Sequence, residues 1–443
     1  MNTYHIHIKG IVQGVGFRPY VYKMAHSANI NGWVNNTTDG VHIEFNEEPV
    51  AAERFYQTVI QHAPKLSRIE HHSCYEVERK NYAEFVIVSS TVSGKPNIPI
   101  TPDYALCSDC VEELNDPANR RYQYPFITCT NCGPRFSILT QLPYDRIGTT
   151  MAEFIMCPEC EGEYLNPTDR RHFSQTNSCP ACGIALSAQD FTSSDRIVQS
   201  DILLQAVEKI NEGKIVAIKG IGGYLLICDA TSEKAIGTLR ERKHRPTKPF
   251  AVMYPDIEML CGDVHVRLNE KYELESEVAP IVLLPKKAEL RSKIQAESIA
   301  PGLNHLGCML PYAPVFALLF QYQKKPLVAT SGNIHGSPII FDDEQAKNIL
   351  GDIADLIVAN NRAIVLPQDD SVISFTPLHN RKIIHRRSRG IAPNYFNSNS
   401  TAQSTSSLAM GADMKSAFSF IAQGRPYISQ YLGDMENFLT QES

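Results

Sequence analysis

No stretch of this 443-residue chain approaches the ~20 consecutive apolar residues of a membrane-spanning helix, so no segment reads as a helical membrane span. The first residues, MNTYHIHIKG, lack the apolar core of a secretion signal. A large excess of either charge is missing too. The formal net charge is −6 with 20% charged residues, which makes a poor general binder of nucleic acid or anionic lipid but leaves room for local basic channels. A Walker A sequence is absent, so any nucleotide must be held in another way. What remains is the composition of a soluble, globular, cytoplasmic chain. Its hydrophobic content is 43%, and its length suggests about three domains of ~100–200 residues.

Of the 12 cysteines, eight fall into Cys-x-x-Cys pairs: Cys107/Cys110, Cys129/Cys132, Cys157/Cys160 and Cys179/Cys182. The pairs repeat in a fifty-residue register. C-S-D-C-V-E-E-L-N-D-P-A-N-R-R-Y from Cys107 returns as C-P-E-C-E-G-E-Y-L-N-P-T-D-R-R-H from Cys157, and Cys132-Gly133 matches Cys182-Gly183. Eighteen residues separate the two pairs of a repeat, which suits a tetrahedral thiolate site fed by two tight knuckles. A disulfide framework would need an oxidising compartment and usually accompanies a small chain short of core. This chain fits neither condition. Two structural zinc ions are therefore expected, one per repeat, although interleaved pairing also fits the spacing. Four thiolates leave no position for water, so such zinc staples the chain and catalyses nothing. Cys74, Cys228, Cys261 and Cys308 read as ordinary buried thiols.

Three stretches, Ser89–Pro102, Ser187–Ser200 and Asn394–Ser407, have the composition of linkers. The expected domains are residues 1–91, 99–190, 199–392 and 408–443.

In the first of these, His5–Lys9 alternates like a strand, Gly10–Gly16 is glycine-rich, and Arg18-Pro19 opens a helix reaching Asn29. Strands Trp33–Asn36 and Val41–Phe45 flank a hairpin turn, Phe55, Val59 and Ala63 mark a second helix, and Phe85–Val88 closes the unit. The order is βαββαβ, the ferredoxin-like arrangement. Small residues between Gly10 and Arg18 free successive backbone N–H groups to point into one concavity at a helix start, which makes an anion cradle. Arg18 adds a fixed positive fork, and Asn36 can present an amide to water. Alone, such a turn reads more readily as a tight turn capped by a surface arginine. However, G-I-V-Q-G-V-G-F-R and G-W-V-N-N-T resemble the two signatures of the acylphosphatase family. The resemblance implies that the loop Gln13, Gly14, Val15, Gly16 and Phe17 binds phosphate with Arg18, and that Asn36 orients the attacking water.

From about Asp201, a helix Leu203–Glu212 and a buried-strand run Ile215–Lys219 begin an alternation of α and β segments that lasts to about His385 and reads as α/β. The run R-E-R-K-H-R-P-T-K-P-F from Arg240 holds five cations in nine residues, and Pro246 and Pro249 stop it continuing as a helix. A second basic cluster spans His385–Gly390, with Thr330-Ser331-Gly332-Asn333 and Asp369-Asp370-Ser371 lying between. One basic run is ordinarily a solvated face. Two, with a hydroxyl and amide turn, suit a triphosphate whose charges must be both neutralised and oriented.

These residues resemble the YrdC-type nucleotide-binding family: Lys243, Arg245, Pro246, Pro249 and Phe250 are similar to its K-x-R-P-x-x-P-hydrophobic motif, and Ser331 and Asn333 to its S-x-N turn. That likeness implies adenylation of a carbamate-type carboxylate by ATP with Mg2+. Lys243 and Arg245 would hold phosphate and carboxylate, Ser331 and Asn333 the nucleotide, and Asp370 a Mg2+ or hydrogen-bond network. Arg240, Lys248, Arg386 and Arg387 would supply further cations, which sequence alone does not rank. Acylphosphatase-like unit, paired zinc units and YrdC-like domain, in that order, resemble the carbamoyltransferase family that matures nickel-iron hydrogenases. The resemblance implies a relay. Carbamoyl phosphate is hydrolysed at the first site, carbamate travels inside the protein, and ATP converts it to carbamoyl-adenylate for transfer to the C-terminal cysteine of a HypE-type partner. Leu408–Ser443 resembles the opening strands of that family's fourth domain, without its histidine-rich metal motif, so a loosely held tail and an incomplete transfer step are expected. The alternatives are a threonylcarbamoyl-adenylate synthase of tRNA modification and a zinc-stabilised RNA-binding protein.

Overall fold

The computed structural model describes residues 1–92, 98–192, 201–334, 336–393, 406–413, 416–422 and 425–436. The chain forms two compact units, Met1–Thr101 with Ile127–Gly183, and Pro102–Phe126 with Ile184–Ser443. No described helix is long and apolar enough to cross a membrane.

The first unit is built on β1 (Asn2–Ile11), α1 (Phe17–Ser27), β2 (Asn31–Thr37), β3 (Gly40–Glu47), α2 (Pro49–Gln61), β4 (Arg68–Val77) and β5 (Phe85–Ile87), with sheet order β4-β1-β3-β2-β5. Alternation along β1 and β3 sends Ile6, Ile8, Val41, Ile43 and Phe45 to one fully buried face. Helix α1 buries Val21 and Ala25, and α2 buries Ala52, Phe55 and Val59. The ferredoxin-like core is as expected, but its closing strand is not. β4, paired antiparallel with β1, takes that place, whereas Phe85–Ile87 adds a fifth strand parallel to β2. Sequence patterning missed β4 because an edge strand reading RIEHHSCYEV leaves most side chains exposed and shows no apolar alternation. Cys74, on this strand, is accordingly only half-buried, as is Cys261, while Cys228 and Cys308 are buried as expected.

The zinc-type repeats give two short helices in matching positions, α3 (Ser108–Asn115) and α4 (Pro158–Leu165), each begun by the first cysteine of its pair, Cys107 and Cys157.

In the second unit, the strands β6 (Leu186–Asp190), β7 (Val216–Lys219), β8 (Tyr224–Asp229), β9 (Ala251–Met253), β10 (Ile281–Pro285), β11 (His305–Met309), β12 (Leu327–Ser331), β13 (Leu356–Asn360), β14 (Val372–Phe375) and β15 (Lys382–Arg386) make one mixed sheet. Its order is β15-β14-β10-β11-β9-β12-β8-β7-β13-β6. β7 and β8 are buried along their whole length, as strands covered on both faces must be. Helix α5 (Ile202–Asn211) precedes β7, and α6 (Glu233–Arg242) already contains Arg240 and Arg242, so the first basic run begins inside a helix and leaves it at Lys243.

The proposed linkers differ from expectation in two places. Residues 187–190 belong to β6, which pairs with β13, because Leu186 and Ala188 can pack on the sheet's apolar face; residues 193–200 lie outside the described residues. Thr101, at the end of the first stretch, is buried and donates to the Gln13 carbonyl at 2.5 Å, while residues 93–97 and 394–405 lie outside the described residues. The tail forms a small sheet of Ser407–Ala409, Ser419–Ala422 and Arg425–Ile428. Two hydrogen bonds join it to the second basic cluster: Arg387 Nη1 donates to Ile428 O at 2.7 Å, and Tyr431 N donates to Arg387 O at 2.8 Å.

Candidate functional site

Between β1 and α1 the backbone turns through Gly14 at φ 69° and Gly16 at φ 75°, left-handed values that a Cβ would strain. Gly16 caps α1 without a side-chain bond, so the first-turn N–H groups, which lack intrahelical acceptors, face the loop's concavity. Arg18 follows in the first turn and is 6% exposed. Its Nη2 donates to Asp145 Oδ1 at 2.6 Å and its Nη1 to Ser90 Oγ at 3.1 Å, and the guanidinium lies 5.3 Å from the Phe173 ring centre. Asn36 lines the same pocket from the end of β2, 2% exposed, and its Oδ1 has no hydrogen-bond partner among the described residues. An orphaned buried acceptor at that position suits a water molecule.

Gln13 has a different role from its neighbours. Its Nε2 donates to Thr37 O at 2.7 Å and Gly40 O at 3.1 Å, and its Oε1 accepts from Tyr144 N at 3.1 Å. The side chain therefore ties the loop to the β2–β3 turn and leaves anion contact to the backbone. Val15 is fully buried and Phe17 is 2% exposed, so both side chains anchor the loop.

The pocket also includes residues that sequence reasoning missed: Thr130, Arg135, Tyr144, Phe173, Ser174 and Gln175, all from the cysteine-rich segment. Arg135, 2% exposed, donates to the carbonyls of Gly14 (2.8 Å), Pro134 (2.8 Å), Cys129 (3.0 Å) and Thr130 (3.1 Å) and so joins a zinc-type knuckle to the phosphate-type loop. The sequence carried no signal for it: the second repeat has Ala185 at the matching position, but most positions between the cysteines differ as well.

The cysteines converge within repeats, not between them. Cys107, Cys110, Cys129 and Cys132 form one group and Cys157, Cys160, Cys179 and Cys182 another, with ligand atoms in each within 4.8 Å. Sγ separations are 3.7 Å for Cys157–Cys179, 3.7 Å for Cys179–Cys182, 3.6 Å for Cys160–Cys182 and 3.8 Å for Cys129–Cys132. Four sulfurs about 2.3 Å from a zinc ion stand about 3.8 Å apart. Disulfide sulfurs would be about 2.05 Å apart. The donor set and its spacing fit structural zinc in both groups.

In the second unit, Lys243 at the end of α6 has no exposed surface, and its Nζ donates to Ser331 O at 2.7 Å and to the carbonyl and Oδ1 of Asn333. Burial, and then the neighbouring Arg245 and Lys248 cations, pull its pKa well down. No carboxylate forms an ion pair with it among the described residues. Arg245 donates to Thr330 Oγ1 at 3.2 Å and lies 5.0 Å from the Phe250 ring centre; burial, then Arg386 and Arg240, lower it to about 10. Arg386 donates to Asp370 O at 2.7 Å and lies 5.5 Å from the Tyr431 ring centre. Lys243, Arg245, Lys248, Ser331, Asn333 and Arg386 are therefore neighbours. Among the described residues the positive charge of Lys243, Arg245 and Arg386 is only partly offset by Asp369, 3.5 Å from Arg386, which favours an anion.

Asp370 and Arg240 face elsewhere. Asp370 pairs with buried Arg389 at 2.9 Å, which favours the hydrogen-bond role over magnesium binding. Arg240 spends its donors on the carbonyls of Arg245, Lys248, Ser298 and Ile299, so it shapes the loop.

A left-handed glycine loop feeding a buried arginine on a ferredoxin-like sheet defines the first unit as acylphosphatase-type, and the Acylphosphatase family profile matches residues 4–87. The profile described as Telomere recombination, of the Sua5, YciO and YrdC type, matches residues 208–388. The HypF finger matches residues 106–139 and 156–188, and the HypF Kae1-like domain residues 402–443. All 443 residues align at 44% identity with carbamoyltransferase HypF of Synechocystis sp., covering 57% of that protein. The whole chain superposes with TM-score 0.94 and 43% identity on 57% of a full-length HypF crystallised in its phosphate- and nucleotide-bound form. On T. kodakarensis HypF it superposes with TM-score 0.90 and 41% identity, covering 100% of this chain and 56% of that one. The chain belongs to the HypF family. It spans little more than half the length of the relatives it matches.

Proposed function

We propose that this chain performs the hydrolytic and adenylating steps of a carbamoyltransferase in nickel-iron hydrogenase maturation. At the first site the loop amides and Arg18 hold the phosphoryl oxygens of carbamoyl phosphate, and a water hydrogen-bonded to Asn36 Oδ1 attacks phosphorus, giving phosphate and carbamate. No covalent intermediate is needed, because an acyl phosphate is already activated and the protein has only to position water and stabilise charge.

At the second site carbamate oxygen attacks the α-phosphorus of ATP, forming carbamoyl-adenylate and releasing pyrophosphate. Lys243, Arg245, Lys248 and Arg386 offset the charge, Ser331 and Asn333 orient the nucleotide, and magnesium accompanies the ATP. The product is destined for the C-terminal cysteine of a HypE-type protein in the cytoplasm, the transfer step calling on residues beyond the span of this chain. Two structural zinc ions in the cysteine groups hold the pocket wall that Arg135 joins to the loop.

The observation that carries the reading is the orphaned Asn36 oxygen beside the Arg18 guanidinium and a nest of helix-start amides. The full-length likeness to HypF favours carbamoyl phosphate over a threonine-derived substrate and over RNA. Exchange of labelled pyrophosphate into ATP tests both steps. Exchange that depends on carbamoyl phosphate and vanishes in Arg18→Ala supports the relay; exchange driven by threonine with bicarbonate, or none with either, overturns it.

A further inference from the structure

The outward face of the first unit's sheet carries a group of side chains that this reading does not use. β1 and β3 set His7 opposite His42 and His5 opposite Glu44, on the face away from the buried Ile6, Ile8, Ile43 and Phe45. The β2–β3 turn brings Asp39 to the same place. His42 Nε2 lies 3.0 Å from Asp39 Oδ1, and His7 Nε2 lies 3.4 Å from Asp39 Oδ2 and 3.2 Å from its carbonyl oxygen. The His7 and His42 rings stack with centres 4.0 Å apart, and one ligand atom from each of the three residues falls within 4.8 Å of the others. Around an ion with ligands at ~2.0–2.2 Å, adjacent donors stand about 2.9–3.5 Å apart. Both carboxylate contacts lie in that range.

The side chains behind this group fall in line with it. Glu44 Oε2 is 3.5 Å from His5 Nδ1, His5 Nε2 is 2.9 Å from His42 Nδ1, and His42 Nε2 is 3.0 Å from Asp39 Oδ1. With an ion beside Asp39, His42 Nδ1 donates to His5, His5 Nδ1 faces Glu44, and the His42 Nε2 lone pair faces the ion. A carboxylate and a second imidazole fixing a ligand's tautomer is the usual support of a metal-bound histidine.

We propose that His7, Asp39 and His42 bind a divalent first-row transition ion, a third metal site apart from the two cysteine groups. Imidazole with carboxylate suits zinc, nickel and copper. Because Thr37 Oγ1 donates to Asp39 at 2.5 Å and Gln13 clamps the same turn, the ion braces the hairpin that presents Asn36.

The test uses the full chain with its cysteine groups loaded with zinc, then equilibrated with nickel and analysed for both metals after desalting. One bound nickel is expected beyond the zinc, lost in His7→Gln and His42→Gln with the zinc retained. In His5→Phe its affinity should fall about 10- to 100-fold, the scale of a lost supporting contact. Asp39→Asn keeps the turn's hydrogen-bonding shape and removes the charge, so it decides the matter if a histidine variant also sheds zinc. Nickel binding unchanged in Asp39→Asn, or no nickel bound by the parent chain, overturns the proposal.

Discussion

Asp145 holds one arm of Arg18: its Oδ1 lies 2.6 Å from Nη2, although 127 residues separate the two. The carboxylate belongs to the cysteine-rich segment and the guanidinium to the acylphosphatase-type helix. The pair aims the fork into the pocket, yet a phosphoryl oxygen reaching Nη2 competes with Asp145 for the same donor. Asp145→Asn should therefore tighten inhibition by inorganic phosphate about 3- to 10-fold, the ~1 kcal/mol scale of a partly exposed ion pair. Phosphate inhibition constants for carbamoyl phosphate hydrolysis measure it.

Arg18→Ala removes the only side-chain cation expected to grip the phosphoryl group. A fall in kcat/KM of about 10²- to 10³-fold is expected, comparable with loss of a transition-state donor. Asn36→Ala should instead lower kcat by about 10²-fold with KM nearly unchanged, because it misplaces water and not substrate. Phosphate release under saturating and limiting substrate separates the two.

Lys243 is buried among oxygens of Ser331 and Asn333, with no paired carboxylate among the described residues. Lys243→Met keeps the stem and removes the charge. It should abolish measurable pyrophosphate exchange while leaving carbamoyl phosphate hydrolysis intact, and cost about 1–3 kcal/mol of stability through the unpaired carbonyls. Paired hydrolysis and exchange assays with a denaturant titration would show a different pattern if the residue were only structural.

Cys160 is fully buried in the second cysteine group. Cys160→Ser should release one zinc ion and open the 157–182 segment to protease, since metal binding in such a site contributes directly to folding. Because the same segment supplies Phe173, Ser174 and Gln175 to the pocket, hydrolysis should fall as well. Metal content and cleavage-site mapping report the two effects.

Burial, with the cations Lys23 and Arg18 nearby, pushes His172 down to about 4, and its Nδ1 has no partner among the described residues. The unfolded chain takes up this proton near 6.5, before the folded one does, so the contribution is intact above that pH and is lost as pH falls toward 4. The urea midpoint of the first unit should drop between neutral pH and pH 4, with a shallower slope in His172→Gln. An unchanged slope would place the proton elsewhere.

Local chemistry was readable without coordinates. Left-handed turns need glycine, so Gly14 and Gly16 announced the anion loop, and Cys-x-x-Cys spacing announced the metal groups, because in both cases a few adjacent residues fix the geometry. The cations Lys243, Arg245 and Arg386 stood out by their density. β4 did not stand out, since an exposed edge strand imposes no pattern on its side chains, and residues 187–190 looked like a linker because a short strand that completes a sheet needs little hydrophobicity of its own.

The sequence by itself determined which chemical groups are present, the loop that can cradle an anion and the ligand sets that can hold zinc. Tertiary structure alone decided that Asp145 and Arg135 reach the phosphate-type loop, that Asp370 answers to Arg389, and that His7, Asp39 and His42 meet on one face. The reason is physical: backbone conformation follows from neighbouring residues, whereas contacts across a hundred residues exist only after burial has fixed how strands and loops pack.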